Sequence, residues 1–519
     1  LSKRLDKKYN KQTIAAKMTD VPGHTRSIID PMYDAGIRLL HVGINSACPL
    51  PSVPTFCRWR SPSGNDLLLV YQKDYGEDEV LPDGKTVVSI NFTGDNHGPH
   101  SYERVKKIYA DLRKRYPQAQ LVGASFNDVA RELLLIKKDL PVVTSEIGDT
   151  WIFGYGGAPI RMAKFRAVSR LYSQWLNEGK IKKDSDVALD FAAELGLIAE
   201  HTQGVDVKTH LRQWDKYDMD KFLKGRSEGI FSMAEASWKE IDNYIDSAIA
   251  FLPASLQKEA REVVAEVDKV KLEDNSKMKP MERKRWEQPI AGGMTLAGLS
   301  YQMFDGDDYD DFQNRYLRAR YGWALDDLGK RGLKESHAVS VTLYAQTMAQ
   351  SVRKEKKGTR IITELRFPEN EKVDKRVYPE RIQVNCFTTK NGKRSEVALT
   401  IYGKPAVRLP ESYWLSFTVP GIESVIAEKM GERVDLMDVV EKGNRQMHGI
   451  DRYVDLITSG ETIRISSKEA FLLNVGEAQG LNYSTNYPDK RKGAHFNLNN
   501  NLWGTNFSMW NEGSLTYHF

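Results

Sequence analysis

The sequence predicts a multidomain protein of class α/β + α + β: a partial (β/α) barrel, a helical bundle and a C-terminal antiparallel β-sandwich. Three observations carry this. Strand and helix signals alternate over the first 150 residues, the pattern of a mostly parallel sheet. From about 160 to 285 the strand signal disappears and long amphipathic segments replace it. Beyond that, short strands separated by turns dominate. At 519 residues the chain exceeds the size at which a single core stops growing. The expected domains are 1–155 (barrel-type, N-terminally incomplete), 156–285 (bundle) and 286–519 (sandwich), with a helical insertion near 308–330.

In chain order, TIAAKMTD reads as a strand and TRSIIDPMYDAG as a helix closed by Gly36. IRLLHVGIN and NDLLLVYQKDYG read as buried strands, and TVVSINFTGD as a strand ending in an acid. The helix SYERVKKIYADLRKRYP follows, with Val105, Ile108, Tyr109 and Leu112 on one face, then the strand AQLVGASF and the helix NDVARELLLIKK. PIRMAKFRAVSRLYSQWLNEG, SDVALDFAAELGLIAEHTQG and GIFSMAEASWKEIDNYIDSAIAFL supply the bundle. The charged stretch DNSKMKPMERKR marks the next boundary. TRIITELRFPE, RIQVNCFTTKNGKRSEVALTIYG, YWLSFTV and TIRISSKEAFLLNVG supply the sandwich, and the Asn- and aromatic-rich end places Trp503 and Trp510 in the core.

Charge is balanced, 75 basic against 70 acidic residues, with no basic block long enough to track a nucleic acid. A neutral polymer or small molecule is the expected partner, and no nucleic acid. No apolar run approaches the ~18 residues that span a bilayer. Cys48, Cys57 and Cys386 form neither a CxxC pair nor an even-numbered framework, although Cys48 and Cys57 keep the option of pairing in an oxidising compartment. The opening LSKRLDKKYN, without Met or signal peptide, reads as the interior of a longer protein.

Two α/β segments end in acids, AAKMTDVPGH at Asp20 and VVSINFTGDNHGP at Asp95. The carboxyl ends of parallel strands share one edge, so these two carboxylates can converge across 75 positions. A carboxylate pair is what glycosidic bond cleavage requires: one attacks or steadies the anomeric carbon, and the other protonates the leaving oxygen. Helix capping accounts for one Asp, but less well for two turns that also carry Pro, Gly and a histidine, His24 and His97. In GDTWIFGYGGAP, Trp151 and Tyr155 offer ring faces to sugar C–H groups, and the glycines would let backbone approach a ligand. A glycine-rich linker with buried aromatics fits the same residues. His201 ends an apolar helix, where a histidine is favourable with the dipole whether or not it binds metal.

In order, these motifs resemble the family 38 glycoside hydrolases, the retaining α-mannosidases, and most closely an uncharacterised bacterial branch with a family 38-like N-terminal region. TDVPGHT matches the family's Asp-Pro-Phe-Gly-His-Ser turn with Val and Pro exchanged in order, and GDNHG matches its Gly-Asp-Asp-Phe strand end at Asp95. GDTWIFGYGGAPIRMAKFRAVSR matches the glycine-rich entry to its bundle, and EHTQGVDVKT loosely matches its His-His-Asp-Ala motif at His201. The likeness covers about residues 10–215. It implies Asp20 as nucleophile and metal ligand, Asp95 as acid/base, His201 as a second ligand of zinc or a similar divalent cation, and His24, Asn96, His97, Trp151 and Tyr155 as substrate-binding residues. The family's His-x-Asp pair, which supplies two more zinc ligands, occurs nowhere in this sequence; the expectation is that it lies upstream of Leu1 and that this chain holds the metal weakly or not at all. Asn96 replaces the family's second acid and the bundle motif lacks its paired His, so mannose is not assumed.

The leading expectation is a metal-assisted retaining exo-glycosidase acting on oligosaccharides or polysaccharide fragments. It would be a secreted or periplasmic hydrolase of bacterial carbohydrate metabolism, with homo-oligomerisation left open. The alternatives are a carbohydrate deacetylase on a related metal-binding barrel, which needs no second strand-end acid, and a non-catalytic carbohydrate-binding protein.

Overall fold

The computed structural model describes residues 2–94, 97–281, 286–504 and 506–519. They form two compact units. The first contains the residues up to Gly148 together with Val439–Gly443; the second contains Asp149–Asp438 and Asn444–Phe519.

The first unit is built on a five-stranded open sheet in the order Ala15–Asp20, Leu39–Ile44, Asp66–Lys73, Phe56–Arg60, Val142–Val143. The first three strands are parallel and in register, as the alternating sequence predicts. Leu39–Ile44 is buried at every position because both faces are covered. Leu40, Val42, Ile44, Trp59, Leu69 and Tyr71 pack on one side with Ile29; Leu39, Leu68 and Val70 pack on the other with Ala130 and Leu133. Phe56–Arg60 runs antiparallel to its neighbour, a strand the reading did not assign. The helices Tyr102–Arg115 and Phe126–Leu135 start at Ser101 and Ser125; Ser101 accepts from Arg104 N, and Ser125 forms a capping box with Asp128. Gly36, at φ +89°, ends the helix Ile29–Asp34.

Two strand expectations fail here. Of TVVSINFTGD only Val87–Val88 is strand, and it pairs with Glu79–Val80 in a separate two-stranded ribbon. AQLVGASF is irregular up to the Ser125 cap. Both segments have the apolar alternation of strands, but neither has a partner in the sheet. The sheet is therefore open rather than closed into a barrel.

The second unit joins the helices to the β-rich region. Pro159–Asn177, Asp186–Gly196, Ser232–Ala250 and Ala254–Asp268 bury Trp175, Phe191, Ile245 and Ile249 between them. Antiparallel sheets of seven, six and four strands follow. The two larger face each other: Tyr301 and Phe367 rings lie 5.5 Å apart, and Tyr517 donates its hydroxyl hydrogen to the Leu498 carbonyl at 2.8 Å. The insertion comprises the helices Gly306–Tyr316 and Gly322–Asp327, the former started by an Asp305/Asp308 capping box. Trp503 and Trp510 are buried, as expected. All three cysteines are buried thiols, so the Cys48–Cys57 pairing is not made. Among the described residues no helix is long and apolar enough to cross a membrane.

Candidate active site

The sequence candidates fall into two clusters, one in each unit. In the first, Asp20 closes its strand at the edge where the parallel strands end. Register places Asp20 beside Ile44 and Ile44 beside Lys73, so the residues that follow, Asn45 and Tyr75, arrive next to its carboxylate. Asn45 Nδ2 donates to Asp20 Oδ1 at 2.9 Å, and the Tyr75 hydroxyl donates to the same oxygen at 2.6 Å. The Asn45 backbone N–H donates to the Asp20 carbonyl at 2.9 Å. Donors aimed at a carboxylate favour its ionised form and fix its direction.

The backbone here is left-handed at three non-glycine residues: Asp20 (φ +82°), Asp74 (+57°) and Tyr75 (+67°). Each such residue costs of the order of 1–3 kcal/mol and persists where its surroundings over-determine it, which is common at functional sites. Gly43 makes the approach of Tyr75 feasible, since a Cβ there would lie 2.7 Å from the Tyr75 backbone. From the other face of the sheet, Lys17 Nζ donates to the Tyr75 carbonyl at 3.2 Å and sits 2.9 Å from His41 Nδ1; His41 Nε2 is 2.9 Å from Gln72 Oε1. Burial, reinforced by Lys17, lowers His41 to about 4, and burial lowers Lys17 to about 8. His41 is therefore neutral at pH 7, accepting from the Lys17 ammonium and donating to Gln72.

His24 is fixed through its backbone, exchanging hydrogen bonds of 2.7 and 3.0 Å with Ile147. The buried Glu146 carboxylate accepts from Thr25 Oγ1 (3.1 Å) and Arg26 N (2.7 Å), tying down the following turn. Burial lowers His24 to about 4. Its buried Nδ1 has no hydrogen-bond partner among the described residues. His97 is exposed. Asp95 and Asn96 lie outside the described residues. The segment leading to them reaches the Asp20 edge, because the Phe92 ring packs 5.3 Å from that of Tyr75.

In the second cluster, Asp149 accepts from Trp151 N at 2.8 Å and from the Tyr316 hydroxyl at 3.2 Å, and burial raises it to about 7. Trp151 is 3% exposed, its ring 5.6 Å from Trp503 and 6.2 Å from His201. Tyr155 donates to the carbonyls of Ala199 and Glu200 at 2.9 and 3.0 Å, which supports the turn carrying His201. His201 pairs through Nδ1 and its backbone N–H with the Glu200 carboxylate. The expectation that the glycines admit a ligand is corrected: added Cβ atoms would fall 2.5 Å from Phe507 at Gly154 and 2.2 Å from Asn500 at Gly156. These glycines let the turn Trp151–Gly157 lie on the protein's own strands.

Among the described residues no three His, Cys, Asp or Glu side chains are gathered as a metal site. Asp20 and His201 are ligands by type, one in each unit. Asn45, Tyr75, Lys17 and His41 were missed in the sequence. The signal for Asn45 and Tyr75 was their place at the ends of two predicted strands, on the edge already assigned to Asp20.

A family model described as a domain of unknown function (DUF5054) matches residues 156–287. No curated protein matches the sequence. Among solved structures, the chain is similar to an alpha-mannosidase from Enterococcus faecalis V583, at 10% identity and a TM-score of 0.53, over 99% of this chain and 74% of that one. The likeness runs through helices, antiparallel sheets and the β-rich C-terminal region, and shows a shared fold.

Proposed function

We propose that this chain is a retaining glycosidase with Asp20 as nucleophile and Asp95 as acid/base. The observation that carries the reading is the Asp20 carboxylate, presented at the carboxyl edge of parallel strands on strained backbone and oriented by Asn45 and Tyr75. The fold shared with an alpha-mannosidase supports the reaction class. In the first step an Asp20 oxygen bonds to the anomeric carbon while the bond to the leaving oxygen breaks, and Asp95 passes its proton to that oxygen. In the second, Asp95 takes a proton from water, which attacks the anomeric carbon and releases Asp20.

A panel of aryl glycosides, with the first-formed anomer read by NMR, tests the proposal. Retention is expected, which requires the two carboxyl groups to be about 5–5.5 Å apart rather than the roughly 6.5–9.5 Å of an inverting pair. Asp20→Asn should abolish formation of the glycosyl-enzyme. Asp95→Asn should spare the first step on substrates with good leaving groups and stall hydrolysis of the intermediate. Inversion, or a covalent adduct on another residue, would sink the assignment.

A further inference from the structure

Away from both clusters, within the second unit, a cavity of about 30 Å³ is lined by Lys208, Trp214, Tyr217, Asp327, Lys330 and Arg408, among others. That volume is enough for about two water molecules. The charge around it is uneven. Asp327 and Asp326, the acids of the wall, are engaged by Lys208 at 2.6 Å and Arg331 at 3.2 Å. Lys330 and Arg408 remain, and among the described residues no carboxylate forms an ion pair with either.

Arg408 is 3% exposed. It donates through Nη1 to the Trp214 carbonyl at 3.2 Å, and its guanidinium lies 4.2 Å from the Tyr217 ring centre and 5.2 Å from that of Phe231. Lys330 Nζ donates to the Trp503 carbonyl at 3.3 Å. Burial lowers both groups, and Arg408 further lowers Lys330, to about 7, so the two cations feel each other. Tyr217 and then Asp215 raise Arg408 in part, and Asp215 is itself held by Lys216 at 3.4 Å. Two desolvated like charges facing one cavity are costly unless an anion joins them.

We propose that this cavity is a binding site for a small oxyanion, held between the Arg408 guanidinium and the Lys330 ammonium. Arg408 supplies the planar fork that suits carboxylate or phosphate oxygens, its orientation fixed by Tyr217 and Phe231. Lys330 supplies the point charge. The site is independent of the glycosidase reading, since it uses none of that reading's residues.

The test is titration of the full chain with inorganic phosphate, acetate and, at matched ionic strength, chloride, read by calorimetry and thermal melting. Saturable binding of phosphate or acetate is expected, with chloride far weaker. The stronger of the two identifies the group as phosphate-like or carboxylate. Lys330→Gln should weaken that binding by about tenfold or more. Arg408→Gln should do the same, and Lys330→Gln keeps the test valid if Arg408→Gln fails to fold. Without anion, Lys330→Gln should melt at or above the temperature of the parent, because it removes an uncompensated cation. Binding no stronger than that of chloride, or binding that survives Lys330→Gln, would overturn the proposal.

Discussion

Tyr75 is the residue on which the candidate active site turns, because its hydroxyl and the Asn45 amide share one oxygen of Asp20. Tyr75→Phe removes the shorter of the two bonds without changing the ring that packs against Phe92. Losing a hydrogen bond to the anion raises the pKa of the carboxyl, since the proton is then less disfavoured. The acid limb of kcat/KM against pH should therefore move to higher pH, and kcat/KM at the plateau should fall by about ten- to a hundredfold. A pH profile of Tyr75→Phe on an aryl glycoside checks both; an unmoved acid limb would remove Tyr75 from the orientation of Asp20. Asp20 was legible because an acid after an apolar run, followed by Pro-Gly, is a local pattern. Tyr75 was not, because its approach depends on register across three strands and on Gly43 leaving room.

At the scale of elements, periodicity located those strands and helices whose faces are buried, and failed where alternation had no partner. Leu39–Ile44 and Asp66–Lys73 are continuous apolar runs covered on both faces, which the sequence declares directly. TVVSINFTGD alternates apolar and polar residues instead, and only Val87–Val88 pairs. The buried polar contacts of the sandwich left no local signal either. The ends of the strands Ser395–Lys404 and Glu411–Thr418 carry Lys404 and Glu411, an ion pair at 2.5 Å with side chains 4% and 0% exposed. Glu411 also accepts from the Tyr301 hydroxyl at 2.8 Å, which ties the pair to the neighbouring strand. Removing one partner leaves a buried charge unanswered, so Lys404→Met should destabilise the chain by about 3–5 kcal/mol. Adding Glu411→Leu should recover most of that loss. Denaturant unfolding of the single and double variants measures the coupling, and additive losses would contradict it.

For the whole molecule, acid stability follows from buried imidazoles. Burial lowers His24, His41 and His495 to about 4 and His448 to about 3. Between the unfolded value of about 6.5 and these folded values, the unfolded chain binds protons that the native one refuses. Stability should therefore fall as pH drops from about 6.5 to 4. Asp149, raised to about 7 by burial, works the other way: the native chain keeps a proton that the unfolded one has released, and that contribution is lost as pH rises through about 7. Buried Glu411, whose carboxyl is also raised, acts with Asp149, and the four imidazoles outweigh the two carboxyls; melting temperature against pH reads the sign. A flat profile between pH 6.5 and 4 would contradict the burial of these rings.

The first unit is also not contiguous in sequence, and no local pattern announces this. Val439–Gly443 belongs to it. Glu146 bridges in parallel to Val439, its carbonyl accepts from Val440 N at 3.0 Å, and the Glu441 carbonyl accepts from Ser52 N at 2.8 Å. The same Glu146 holds Thr25 and Arg26 through its carboxylate, so the distant segment steadies the residue that anchors the turn after Asp20. A fragment ending at Gly148 would leave these backbone groups to water and free Glu146 to shift. Each such hydrogen bond exchanged for water costs about 0.5–1.5 kcal/mol, and several together are a large share of what a unit of this size has to spare. The fragment should therefore show early amide exchange around Ser52, Thr25 and Arg26, and a lower melting temperature than the same unit in the full chain. Joining a short linker and residues 436–446 to its end should restore protection at Ser52 first, since that amide bonds the segment directly. Equal protection in the fragment with and without those residues would show that the unit is complete without its distant segment.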